Sequence, residues 1–254
     1  TNPARLLLIY PDGQGGSNDN VFGDKDAEPA LRAAHLSQDA GQVNIEAGGL
    51  APAPLQGVNF TDVSGFLAVP DALRNSDGSV TVDVGPGVID KDLDLTDGDF
   101  HTGYAVGLAA MGTGDTALDV ISSNDQVRPV ATEAQVRVVH AASQVEAVTG
   151  VENGAVDVYA GPTGSDLGLV RSGVKFKDVS GYLSLAPGEY DFEAFPAQDD
   201  PPATAPDNAP LSETFTLDNG DVKTLIARDV ENGNGFVLDD EDDAAKVEAF
   251  KQSN

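Results

Sequence analysis

Apolar and polar positions alternate in QVRVVHA (135–141): Val136, Val138 and His140 fall on one side of an extended chain, Arg137 and Val139 on the other. YDFEAF (190–195) and VKF (174–176) alternate or nearly so, and β-branched and aromatic residues concentrate there. Turn chemistry separates such stretches, as in NSDG (75–78) and Pro187-Gly188. Short strands at close intervals with turns between predict an antiparallel β-sandwich of Ig-like, Greek-key type. One stretch has a helical period. DDAAKVEAFKQ (242–252) reads as a C-terminal helix capped by Asp242 or Asp243, with Val247 and Phe250 facing inward.

The pattern occurs twice. VNFTDVSGFLAVP (58–70) returns as VKFKDVSGYLSLA (174–186). Upstream, ALRAAHLS (30–37) matches QVRVVHAA (135–142), which aligns Arg32 with Arg137 and His35 with His140. VNI (43–45) matches VDV (156–158), SVTVDVGP (79–86) matches EYDFEAFP (189–196), and LTDGDFHT (95–102) matches LDNGDVKT (217–224). The order is kept while the spacing drifts, as when strands persist and loops change length. The reading is a tandem duplication: an extension at 1–28, a first sandwich at 29–127, a linker at 128–133, a second sandwich at 134–243 and a tail at 244–254. Matched alternation puts Phe60 and Phe176 at equivalent positions, and both are expected in the cores.

The order V-R-V-V-H-A, V-D-V-Y, then V-x-F-x-D-V-S-G-Y-L-x-L-x-P-G-x-Y-x-F resembles domain of unknown function 4397. The resemblance is strongest over 135–196 and weaker in the first copy, where QVNIEAGG stands for AVDVYAGP. It implies a β-sandwich module, often in tandem, of secreted and surface proteins from bacteria and archaea. It transfers no catalytic residues.

Composition sharpens the picture at a few points. Asp and Glu number 42 against 14 Lys and Arg, a net charge of −28 spread over both halves. Such a field makes nucleic acid a poor partner, since binding it needs clustered Lys and Arg. An evenly acidic, lysine-poor surface suits salty surroundings, where ions screen self-repulsion. The absence of cysteine removes disulfides, thiolate catalysis and zinc–thiolate sites together. No run of 18 apolar residues exists, so no membrane span is expected.

Four sets of residues invite chemistry. His35 and His140 suggest metal ligands or general bases, but each repeat carries one such His with no converging ligands, so a structural, hydrogen-bonded role is expected. His101, aligned with Lys223, is expected at the surface. Asp62 and Asp178 of the two DVSG motifs are read as backbone-bonding turn residues rather than members of a triad. Asp90, Asp92, Asp94, Asp97 and Asp99 cluster oxygens as calcium would need, yet lack the EF-hand glycine and closing glutamate. A solvated acidic face is the preferred reading there, with calcium as the only cofactor entertained. LDDEDD (238–243) is read as a tail end.

RLLLIY (5–10) belongs to neither repeat. Leu6, Leu7, Leu8, Ile9 and Tyr10 are continuously apolar, so a strand made from them wants both faces covered. A polar tether follows it. The segment is expected either to staple its own domains or to be donated to a neighbouring copy. The combined expectation is a secreted, non-catalytic structural protein of the cell surface or matrix that associates with itself. A glycan- or protein-binding adhesion module is the alternative, weakly supported in a chain with no Trp and few Tyr.

Overall fold

The computed structural model describes residues 27–253 except 53–54, 86–87, 111, 126–127 and 232–234, with backbone alone for 248 and 250–253. RLLLIY, the acidic stretch 12–26 and the Phe250 side chain therefore lie outside the described residues.

The first repeat runs β1 (Ala30–His35), β2 (Ile45–Ala47), β3 (Leu67–Ala68), β4 (Ser79–Val84), β5 (Ile89–Asp94), β6 (Phe100–Val106) and β7 (Asp119–Asp125). The second runs β8 (Ala134–Ala141), a short helix α1 (Val145–Thr149), β9 (Val156–Pro162), β10 (Gly168–Val174), β11 (Leu183–Leu185), β12 (Gly188–Pro196), β13 (Leu211–Leu217), β14 (Val222–Asp229) and β15 (Phe236–Asp242). Helix α2 (Asp243–Ser253) closes the chain.

Four sheets result, ordered β2-β4-β5, β3-β1-β6-β7, β11-β8-β14-β15 and β10-β9-β12-β13. The two inner sheets have the same order, strand for strand. The outer sheets differ by β10, whose counterpart among the described residues of the first repeat is the single bridge of Val43 to Val58. Two all-β domains in tandem are thus observed. Within them every ladder is antiparallel except one per repeat: β1 runs parallel to β6, and β8 to β14.

Alternation decides what each face meets. Leu31 and Ala33 of β1 pack with Val80, Val82 and Val84 of β4 to form the first core. Val136 and Val138 of β8 pack with Phe192 and Leu217 to form the second. The opposite faces of β1 and β8 do not meet water. Ala34, Leu36, Tyr104 and Val106 from the first repeat join Val139, Ala141 and Ile226 from the second in a third buried cluster. The two inner sheets therefore face one another, and β1 and β8 are buried along their whole length. Strands covered on both sides need apolar or paired groups on both sides.

The tail joins the interface rather than trailing from it. Val247 of α2 is buried against Ala30 and Phe66 of the first repeat. Asp242 caps the helix by accepting the Ala245 N–H at 2.9 Å. No helix among the described residues is long and apolar enough to cross a membrane.

Phe60 and Phe176 occupy equivalent places but are only half-buried, which corrects their expected core position. Val58 and Val174 take the inward sites instead. Each phenylalanine then lies beside a turn whose next residue is left-handed, Thr61 (φ 78°) and Lys177 (φ 76°). This turn carries the rings over the histidines, edge-on to His35 at 6.4 Å and to His140 at 6.2 Å.

Candidate functional site: the charge cluster between the repeats

The parallel register sets Arg32 beside Thr102 and Arg137 beside Thr224, all on the faces that meet. Each arginine Nε donates to its neighbouring threonine Oγ1 at 2.7 Å. Each threonine in turn donates to a carboxylate of its own repeat: Thr102 to Asp125 at 2.5 Å and Thr224 to Asp243 at 2.6 Å. The arginines then cross over. Arg137 Nη2 donates to Asp125 of the first repeat at 2.5 Å, and Arg32 Nη2 to Asp243 of the second. Longer contacts complete the square, Arg32 to Asp125 at 3.5 Å and Arg137 to Asp243 at 3.7 Å.

The exchange is nearly two-fold, and the departures have identifiable partners. The aromatic after each DVSG lies under an arginine, Phe66 at 4.8 Å from Arg32 and Tyr182 at 5.0 Å from Arg137. Only Tyr182 has a hydroxyl, which donates to Asp243 at 3.0 Å. Tyr104, where the second repeat has Ile226, accepts from Arg137 at 3.0 Å. Both arginines and both aspartates are essentially inaccessible to solvent. Burial alone would lower the arginine pKa values, and the surrounding groups more than reverse it. Asp243 and Asp125 raise Arg32; Tyr104 and Asp125 lead in raising Arg137. A third carboxylate, Glu241, lies 3.7 Å from Arg32 Nη1 and pairs with Lys246 at 3.4 Å, so the buried Arg–Asp square sits beside a further ion pair.

The duplicated DVSG motif holds the third strand against this arrangement. Asp62 accepts the Asn59 N–H at 2.9 Å and Asp178 accepts the Lys175 N–H at 2.8 Å, closing equivalent turns. Val63 and Val179 bridge Ala34 and Val139. The Ser64 hydroxyl accepts the Ala33 N–H at 3.0 Å, and Ser180 accepts the Val138 N–H at 2.8 Å. Both seryl hydroxyls donate to the next glycine carbonyl, and neither meets a histidine.

His35 and His140 are buried, and each is bonded at both nitrogens. Nε2 donates to the carbonyl of Gly41 at 2.7 Å and of Gly154 at 2.8 Å, which fixes the tautomer because a carbonyl only accepts. Nδ1 accepts the N–H of Ser37 and of Ala142. Burial holds both pKa values below the usual histidine value. His101 is buried too, against the expectation of a surface position. Its Nε2 accepts the Thr96 N–H at 3.1 Å, so the ring tucks under the β5–β6 turn, where Lys223 has no need to follow.

The five acidic calcium candidates do not converge. Asp90, Asp92 and Asp94 alternate along exposed β5, with Asp92 accepting from Thr81 at 2.6 Å. Asp97 pairs with Arg74 at 2.5 Å, and Asp99 accepts from Asn124 at 2.6 Å. Among the described residues no three His, Asp or Glu side chains are placed to hold a metal. Sequence reading passed over Asp125 and gave Asp243 only as a helix cap or tail residue. LDDEDD, taken for a tail end, supplies Asp243, a fully buried carboxylate. The available signal was the matched Arg32/Arg137 and Thr102/Thr224, two charged-and-polar pairs on faces that a lone sandwich would leave wet.

The profile of domain of unknown function (DUF4397) matches residues 29–151 and again 143–251. The chain belongs to the DUF4397 family. No curated protein matches it. Among solved structures, the Bacillus anthracis TIE protein is similar over 84% of this chain and 34% of its own, at 12% identity and a TM-score of 0.25. The chain thus spans about a third of the length of that protein. A candidate cell adhesion protein from Bacteroides ovatus is similar over 85% of this chain and 97% of its own, at 12% identity and a TM-score of 0.23. In this tandem DUF4397 chain, the two repeats, with inner sheets of the same strand order, are the two halves of one buried interface.

Proposed function

We propose that this DUF4397 chain is a non-catalytic structural protein of the cell surface or extracellular matrix, assembling with copies of itself. The observation that carries the reading is the reciprocal Arg–Asp exchange. It ties two sandwiches into one unit, as a load-bearing or spacing element requires, and it commits the charged residues to each other. The histidines and motif serines are likewise committed to backbone partners, which leaves them no free function as base or nucleophile. The even acidic surface suits salty surroundings, and Leu6–Tyr10 is the assembly element. The test removes residues 1–12 and compares particle size by light scattering and negative-stain microscopy. Polymers of the full chain that disappear on truncation, with the circular dichroism of the sandwiches retained, support the reading. Assembly unchanged by truncation overturns it.

A further inference from the structure

The sequence holds one N-x-Ser/Thr triplet, Asn59-Phe60-Thr61, at the place where the second repeat has Lys175-Phe176-Lys177. The triplet does not lie in a strand. It forms a turn between β2 and β3, in which the Asp62 N–H donates to the Asn59 carbonyl at 3.0 Å and the Thr61 N–H to the His35 carbonyl at 2.7 Å. Phe60 packs edge-on to His35, with the Arg228 guanidinium 5.3 Å from its ring centre. Asn59 and Thr61, on either side of it, are exposed.

The Asn59 carboxamide is held at both ends. Its Oδ1 accepts from Gln42 Nε2 at 3.1 Å, and its Nδ2 donates to Asp62 Oδ2 at 3.0 Å. The second bond uses one of the two Nδ2 hydrogens, so the other can be replaced with the turn intact. Thr61 is the more informative residue. Its φ of 78° is left-handed, where a β-branched side chain is a steric outlier. The second repeat makes the same turn with unbranched Lys177 at 76°, so the fold itself does not ask for threonine. No hydrogen bond accounts for it either: among the described residues the Thr61 hydroxyl has no partner. A strained residue kept without a local reason points to a use for its side chain. A hydroxyl two residues after an exposed asparagine is what N-glycosylation requires.

We infer that Asn59 is an N-glycosylation site, taking an oligosaccharide from a polyprenyl phosphate or diphosphate donor. Transfer forms the bond from Nδ2 to sugar C1 and breaks the C1–O bond to the phosphate, which leaves with the lipid. One Nδ2 proton passes to a base of the transferring enzyme. This rests on the cell-surface reading above, since the triplet is an acceptor in secreted chains.

The test takes the chain from the surface fraction of the cells that make it and weighs the tryptic peptide 33–74, which carries Asn59. The expected result is a peptide heavier by whole sugar residues, with Asn59 as the attachment point on fragmentation. Asn59→Gln should remove the added mass. Thr61→Lys, which copies the turn of the second repeat, should remove it too and leave the circular dichroism unchanged, whereas Thr61→Ser should keep it. A bare Asn59 in chain recovered from the surface overturns the site and leaves the surface reading standing. Sugar that survives Thr61→Lys also overturns it. A bare chain found only in the cytoplasm sinks the surface reading, and the site with it.

Discussion

His35, His101 and His140 show how a titratable residue becomes part of a fold. Each is bonded to backbone that matches its neutral form, with charged groups at the periphery: Asp62 near His35, Asp178 near His140, and the carboxylates of Asp99 and Asp125 with the Arg74 cation around His101. Burial lowers all three pKa values relative to the unfolded chain. Protons therefore bind more readily to the unfolded state below its histidine value of about 6.5, and stability depends on pH in that direction. Stability should be level above about pH 6.5 and fall as pH drops below it, until the folded-state values are passed. Urea melts of the native chain and of His140→Gln across pH 5 to 8 read this directly. Glutamine retains a side-chain donor and does not titrate, so the variant should lose part of the slope even if its midpoint is lower. A slope unchanged by His140→Gln would show that this residue is not one of the groups responsible.

Elements were legible in proportion to how far neighbouring residues determined them. The period of two in QVRVVHA placed β8 and its inward face correctly, since alternation is a local property. The matched motifs gave the repeat, because the same strand order recurs in both inner sheets. The parallel pairing of β1 with β6 was not legible, because a ladder's direction depends on chain that passes between the strands. Phe60 and Phe176 misled for a related reason. Alternation is valid only while the chain stays extended, and a left-handed Thr61 or Lys177 ends it within one residue. The outward faces of β1 and β8 carried a usable contradiction. Arg137 was flanked by Val139 and Ala141 on a side that one sandwich would expose, and the interface resolves it. One of the two crossing pairs, Arg32 to Asp243, joins residues over 200 positions apart, and periodicity has no means of reaching so far.

At the scale of the whole molecule two kinds of charge act in opposite ways. The interface arginines and aspartates are dry and paired, so breaking one pair leaves a buried ion without its counterion. Arg137→Met alone should therefore cost about 3–5 kcal/mol. Adding Asp125→Leu should recover much of that loss, since a buried pair replaced by packed apolar groups is often neutral. Denaturant melts of the two singles and the double test this, and strict additivity would refute the pairing. The surface charges are wet and unbalanced. Near −28 they repel one another in the compact state more than in the expanded one, and only mobile ions relieve this. The screening length falls from ~30 Å at 0.01 M salt to ~3 Å at 1 M, from about the width of a domain to that of one contact. The melting temperature should therefore climb through that range. The Arg137→Met penalty should change little, because solvent ions do not enter the interface. Calcium serves as the control for a specific site: at equal ionic strength it should act as sodium does. A melting temperature that stays flat or falls with salt would remove the claim of adaptation to salty surroundings. A calcium-specific rise would return Asp90, Asp92, Asp94, Asp97 and Asp99 to consideration as ligands.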